Sequence, residues 1–120
     1  MTSSKPYLLR ALYEWILDND NTPYILVDTS SEQVLIPDGI ASDGKVVLNL
    51  APAAVQHLEM TNDQVSFSAR FNGVAEDLVV PMASLLAIYA RENGEGMMFP
   101  AEEADAEDAR PSGPSLRVIK

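Results

Sequence analysis

The first apolar pattern along this chain is helical. In PYLLRALYEWILD, Pro6 to Asp18, Leu8, Leu12, Trp15 and Ile16 form one stripe at helical spacing, and Leu9, Tyr13, Ile16 and Leu17 form a second beside it. Ser3 or Ser4 can cap such a helix, and Pro6 suits its first turn. The arc is wider than one small sheet needs to cover. Either both stripes bury within one domain, or the helix meets a second subunit through Leu8, Leu9, Leu12, Trp15 and Ile16, and the second arrangement is the one expected.

After Asp18 the period changes. Asn19 to Pro23 is turn-rich, and YILVDT (Tyr24 to Thr29), VLIP (Val34 to Pro37) and KVVLNL (Lys45 to Leu50) read as strands separated by Pro-Asp-Gly and Ser-Asp-Gly turns. VSFSARF, Val65 to Phe71, alternates most cleanly: Val65, Phe67, Ala69 and Phe71 point one way, Ser66, Ser68 and Arg70 the other. Asn72-Gly73 then signals a tight hairpin into VAEDLVVP, Val74 to Pro81. The stretch from Met82 to Phe99 is ambiguous. Its alanines favour a helix ending at Asn93-Gly94, while that Asn-Gly between two apolar runs favours a hairpin. Either way, one helix followed by five to seven short strands predicts a mainly β fold, a small barrel or sandwich.

From Pro100 the apolar pattern stops. AEEADAEDA places five acids in nine residues, and RPSGPSLRVIK follows with three bases and an apolar cluster. The chain therefore divides into a folded body (1–99), a solvated acidic linker (100–115) and a terminal peptide (116–120). A linker of this length has an r.m.s. reach of roughly 20–24 Å if flexible.

Composition narrows the functional classes. At 120 residues, with 47% apolar and 22% charged, the chain suits one domain with a core. Thirteen acids against five bases over residues 1–100 leave that part at −8, which repels phosphate and disfavours nucleic acid and acidic lipid. No apolar run is long enough for a membrane span, and no secretory pattern marks the N-terminus. The absence of cysteine fits a reducing cytoplasm and removes disulfides and thiolate metal sites. His57 is the only histidine, in a loop-like AAVQHLEM without a nucleophile nearby, and reads as a surface residue. Glu59, Asp63, Glu76 and Asp77 have no spacing that selects a catalytic pair. ENGEG lacks the phosphate-loop lysine and reads as a turn. No enzyme, metal or cofactor is expected.

What remains is recognition. Arg70 is the only base between Lys45 and Arg91, and Asn49 is a polar residue within an apolar strand. Each has a local explanation, an ion pair or solvent exposure, and each also suits a ligand: a planar fork for a carboxylate, an amide for a peptide backbone.

Taken in order, PYLLRALYEWILDN, TPYILVD, DGKVVLNLAPAAV, TNDQVSFSARFNG, VPMASLLAIYARENGEGMMF and the final LRVIK resemble the stringent starvation protein B family. Members are adaptors for the ClpXP protease that bind the ssrA tag of stalled nascent chains and hand the tagged protein to the ClpX unfoldase. The resemblance implies an N-terminal helix that forms a homodimer, a small Sm-like β-barrel, a disordered C-terminal tail, and a helical turn plus hairpin after Met82. It implies peptide-binding roles for Leu48, Asn49, Leu50, Ala51, Phe67, Ala69, Arg70 and Phe71. It also implies docking on the N-terminal zinc-binding domain of ClpX by Leu116, Arg117, Val118, Ile119 and Lys120. Two departures stand out: Ser68 where the family often has asparagine, and a linker shorter than the family's. Sm-like barrels also serve RNA binding, the alternative function, against which the acidic body argues.

Overall fold

The computed structural model describes residues 2–99, so the expected linker (100–115) and terminal peptide (116–120) lie outside the described residues. Helix α1 is Lys5–Asp18. Pro6 sits in its first turn, where a missing N–H costs nothing. Ser4 occupies the N-cap without a side-chain bond, and the Ser3 hydroxyl accepts the Lys5 N–H instead at 3.2 Å. At the other end the Asn19 amide donates to the Trp15 carbonyl at 2.8 Å, satisfying one of the orphaned acceptors of the last turn.

The two stripes of the helix part company. Leu9, Tyr13 and Ile16 are buried in the body, Leu9 and Ile16 almost completely. Leu8 and Trp15 stand 37% and 44% exposed, with Tyr7 beside them and Leu12 half-buried. Arg10 fixes the helix sideways, donating to the Met60 carbonyl at 3.0 Å and to Asn62 Oδ1 at 3.1 Å.

Among the described residues seven strands follow: β1 (Pro23–Asp28), β2 (Lys45–Asn49), β3 (Val55–Met60), β4 (Gln64–Phe71), β5 (Val74–Pro81), β6 (Leu85–Ala90) and β7 (Gly96–Met98). All pairings are antiparallel. They form one sheet in the order β2-β1-β6-β7 and another in the order β3-β4-β5. The expected closed barrel is thus replaced, among the described residues, by two separate sheets with no ladder between them. Inward-facing residues of both, including Ile25, Val27, Leu48, Val65, Phe67, Leu78, Val80 and Ile88, join the helix stripe in one core.

Three local expectations need correcting or refining. Val34–Pro37 is not a strand; only Leu35 pairs, through a two-bond bridge to Val79. Pro37 interrupts any ladder there, and Leu35 itself is 55% exposed. The AAVQHLEM stretch, expected as a loop, contains β3. Its alternation is hidden because a bulge between Gln56 and Glu59 breaks the register, with His57 at φ 59°. The Met82–Phe99 ambiguity resolves into a 3-10 turn, Met82–Ser84, and the β6–β7 hairpin. A helix there would leave β1 without its inner partner, and tertiary pairing overrides alanine's local preference. A Cβ on Gly96 would collide with the Ile88 carbonyl oxygen, so this close crossing needs glycine.

The end of the β6–β7 hairpin is tied back to the start of β1. The two carboxylate oxygens of Glu92 accept the Thr22 N–H at 2.8 Å and the Thr22 hydroxyl at 2.7 Å. These bonds hold the Glu92 carboxyl at a pKa of about 2, below its usual 4.5. The folded state binds the proton more weakly than the unfolded chain does. The clamp therefore contributes fully above pH 4.5 and is lost as the pH falls toward 2. Glu92→Gln should lower the melting temperature at pH 7 and converge with the parent near pH 2, measured by thermal unfolding across that range. A gap independent of pH would reject the charged clamp.

Candidate functional site

β2 ends one sheet, and β4 runs through the middle of the other. Where they face each other lies a cavity of about 240 Å³ lined by Val47, Leu48 and Asn49 from β2, Ala54 from the following turn, and Phe67, Ala69, Arg70 and Phe71 from β4. A larger cleft of about 470 Å³ shares Ala54, Ala69 and Arg70 and continues over Pro52, Gln56, Ser68 and Ala75. Together they form a groove lined by apolar residues of mixed size, by the polar Asn49, Gln56 and Ser68, and by a single guanidinium.

Six of the eight residues singled out in the sequence line the cavity: Leu48, Asn49, Phe67, Ala69, Arg70 and Phe71. Leu50 and Ala51 do not. Leu50 is fully buried, with its N–H on the Pro23 carbonyl at 2.9 Å and its carbonyl accepting the Tyr13 hydroxyl at 3.0 Å. Burial raises the pKa of that phenol, so it remains a neutral donor. Ala51 gives its N–H to Asn49 Oδ1 at 2.8 Å and accepts the Ala54 N–H at 2.8 Å. Both residues build the turn that brings Ala54 to the groove. Sequence reasoning missed Val47 and Ala54. For Val47 the available signal was its outward place in the alternation of β2, and it is 46% exposed.

Arg70 is exposed and donates to the Gly73 carbonyl at 3.2 Å across the Asn72-Gly73 turn. Among the described residues it makes no ion pair, and the two carboxylates on the neighbouring strand do not engage it. Asp77 instead accepts the Ser68 hydroxyl at 2.6 Å. The guanidinium thus keeps donors available beside an apolar trough, in a body that is otherwise strongly acidic. Asn49 has committed its oxygen to Ala51, which leaves its amide N–H groups as donors.

The helix residues expected at a subunit contact separate. Leu8 and Trp15 lie on the outward side, Leu12 is half-buried and packs against the edge of the core, and Leu9 and Ile16 are consumed by the core and offer no area to a partner. His57 lines a shallow depression with Glu59, Ser66, Ser68 and Asp77, farther along the β3-β4-β5 sheet. Among the described residues, no three His, Asp or Glu side chains cluster tightly enough to hold a metal ion. No helix among them is long and apolar enough to cross a membrane.

Comparison with known proteins gives one consistent result. The sequence profile described as Stringent starvation protein B matches residues 3–117. A stringent starvation protein B homolog from Haemophilus influenzae is 52% identical over 99 residues, covering 82% of this chain. The aligned portion spans 66% of that relative's length.

Proposed function

This chain belongs to the stringent starvation protein B family, and from that premise we propose that it is a cytoplasmic, non-catalytic adaptor that binds ssrA-tagged proteins and tethers them to ClpX for degradation by ClpXP. The observation that carries the proposal is the groove between β2 and β4, where six expected residues, Arg70 among them, come together. An extended tag fits a narrow trough with a floor of Ala54 and Ala69, and an acidic tag residue answers the guanidinium. The helix followed by two small sheets is taken as an opened form of the family's Sm-like barrel. Leu8, Leu12 and Trp15 supply the outward apolar stripe of a homodimer. Leu116 to Lys120, reached through the acidic linker, dock on the N-terminal zinc-binding domain of ClpX. The two binding sites act by raising the local concentration of substrate at the unfoldase.

Fluorescence anisotropy of a labelled ssrA peptide tests the groove. The parent chain should bind at micromolar concentration or tighter, and Arg70→Ala should weaken binding about tenfold or more, the scale of one hydrogen bond to a charged group. Equal binding by the two proteins would remove Arg70 from the site, and no binding by the parent would reject the proposal.

A further inference from the structure

The free edge of β2 explains how the groove can hold a peptide without reading every side chain. In the β1–β2 ladder, Val46 pairs with Val27 and Leu48 with Ile25, and the flanking bonds run from Thr29 N–H to Gly44 and from Leu50 N–H to Pro23. Even-numbered residues of this stretch therefore direct their N–H and C=O toward β1. Odd-numbered residues direct theirs to the open side. Lys45, the first of these, is already engaged: it exchanges bonds of 3.0 and 2.7 Å with Ser42. At the other end Asn49 Oδ1 bonds the Ala51 N–H and the chain turns away. What is left is a window of two residues, Val47 and Asn49, whose outward main-chain groups have no bond among the described residues. These two residues line the groove.

The other sheet edges are less suited to an acidic strand. β5 is engaged at Val79 by Leu35 and carries Glu76 and Asp77 beside it. β3 is broken by its bulge at His57. The cavity against β7 contains no Arg or Lys. Among the described residues, only at β2 does an unpaired edge open into the groove next to an available guanidinium.

Resting on the tag-binding reading above, we infer that the tag is bound by strand addition: an extended acidic peptide pairs with the main-chain N–H and C=O of Val47 and Asn49. Its alternate side chains then fall on Ala69 and Phe71 or toward solvent. Affinity comes from the backbone, and Arg70 selects among the strands that fit. Recognition of this kind tolerates varied side chains but demands an extended, hydrogen-bonding main chain.

The experiment is anisotropy with a set of ssrA peptides carrying a single N-methyl group at successive residues. Methylation should weaken binding at least tenfold at residues i and i+2 and leave i+1 nearly unchanged. On the protein, Val47→Pro deletes an N–H that faces away from β1, so the ladder survives; it should melt cooperatively and bind at least tenfold more weakly, whereas Val47→Ala, which trims the side chain on the groove but keeps the N–H, should lose clearly less. If Val47→Pro does not fold, the methylation series alone decides. A parent peptide that binds well, with every N-methyl variant equal to it, would overturn strand addition and leave the adaptor reading intact. A parent peptide that does not bind would overturn both.

Discussion

A chain ending at Ser115 is expected to bind an ssrA-tagged protein within twofold of the full chain and to give no stimulation of its degradation by ClpXP. The deletion removes Leu116, Arg117, Val118, Ile119 and Lys120 and leaves every groove residue in place. In a two-site adaptor, the gain comes from converting a second binding event into an intramolecular one, with local concentrations on the order of millimolar for a short flexible link. Cutting one site loses all of that gain rather than a part. The measurement is degradation rate at substrate concentrations well below saturation, with tag affinity read in parallel. Full stimulation by the truncated chain would end the two-site proposal. Loss of tag binding would show that the terminal peptide supports the body instead. A segment of this length would reach about 20–24 Å if flexible, so lengthening it with Gly/Ser repeats should raise the degradation rate if reach limits delivery.

Leu9→Ala is expected to cost about 2–5 kcal/mol of stability, lowering the melting temperature by on the order of 10 °C or more. Leu9 is wholly buried against the strands, and its loss leaves a cavity that the rigid sheet beneath cannot fill. Trp15→Ala, about 100° round the helix from buried Ile16 and 44% exposed, should behave differently. Its cost should show only through association. Light scattering should report a shift toward monomer, and the concentration dependence of the melting temperature expected for a dimer should weaken. The two variants thus separate the inner and outer stripes of one helix. A large, concentration-independent loss for Trp15→Ala would show that the outer stripe also serves the fold.

Much of this architecture was legible in the chain because its patterns are local. The helix was marked by its 3.6-residue stripes and Pro6, β4 by strict alternation, and the β4–β5 hairpin by Asn72-Gly73, where both residues take positive φ. Features set by distant partners were not legible. β3 contains a bulge that destroys its alternation, and whether Met82–Phe99 becomes helix or hairpin depends on β1, some sixty residues away in sequence. Whether the seven strands close into a barrel is likewise decided by sheet pairing, which no single segment records. At the candidate site, the strands that meet there were recognised through family resemblance rather than spacing. Their individual roles still needed coordinates. Leu50 and Leu48 are alike in sequence and both buried in the core, but only Leu48 also lines the groove. Leu8 and Leu9 are adjacent and divide too, one exposed and the other buried.

The hydrogen bond from Tyr13 to the Leu50 carbonyl gives these divisions a common history. The outer stripe of the helix is the surface proposed for a second copy, while its inner face holds the residue that follows Asn49. Substitutions at position 13 are therefore filtered twice, once for the packing of the helix and once for the shape of the turn beside the groove. Tyr13→Phe would leave a buried carbonyl without its donor, and a lineage carrying it would be expected to acquire a second change near Leu50 before drifting further. Two surfaces that look separately evolvable share one constraint, and their rates of change are bound to each other.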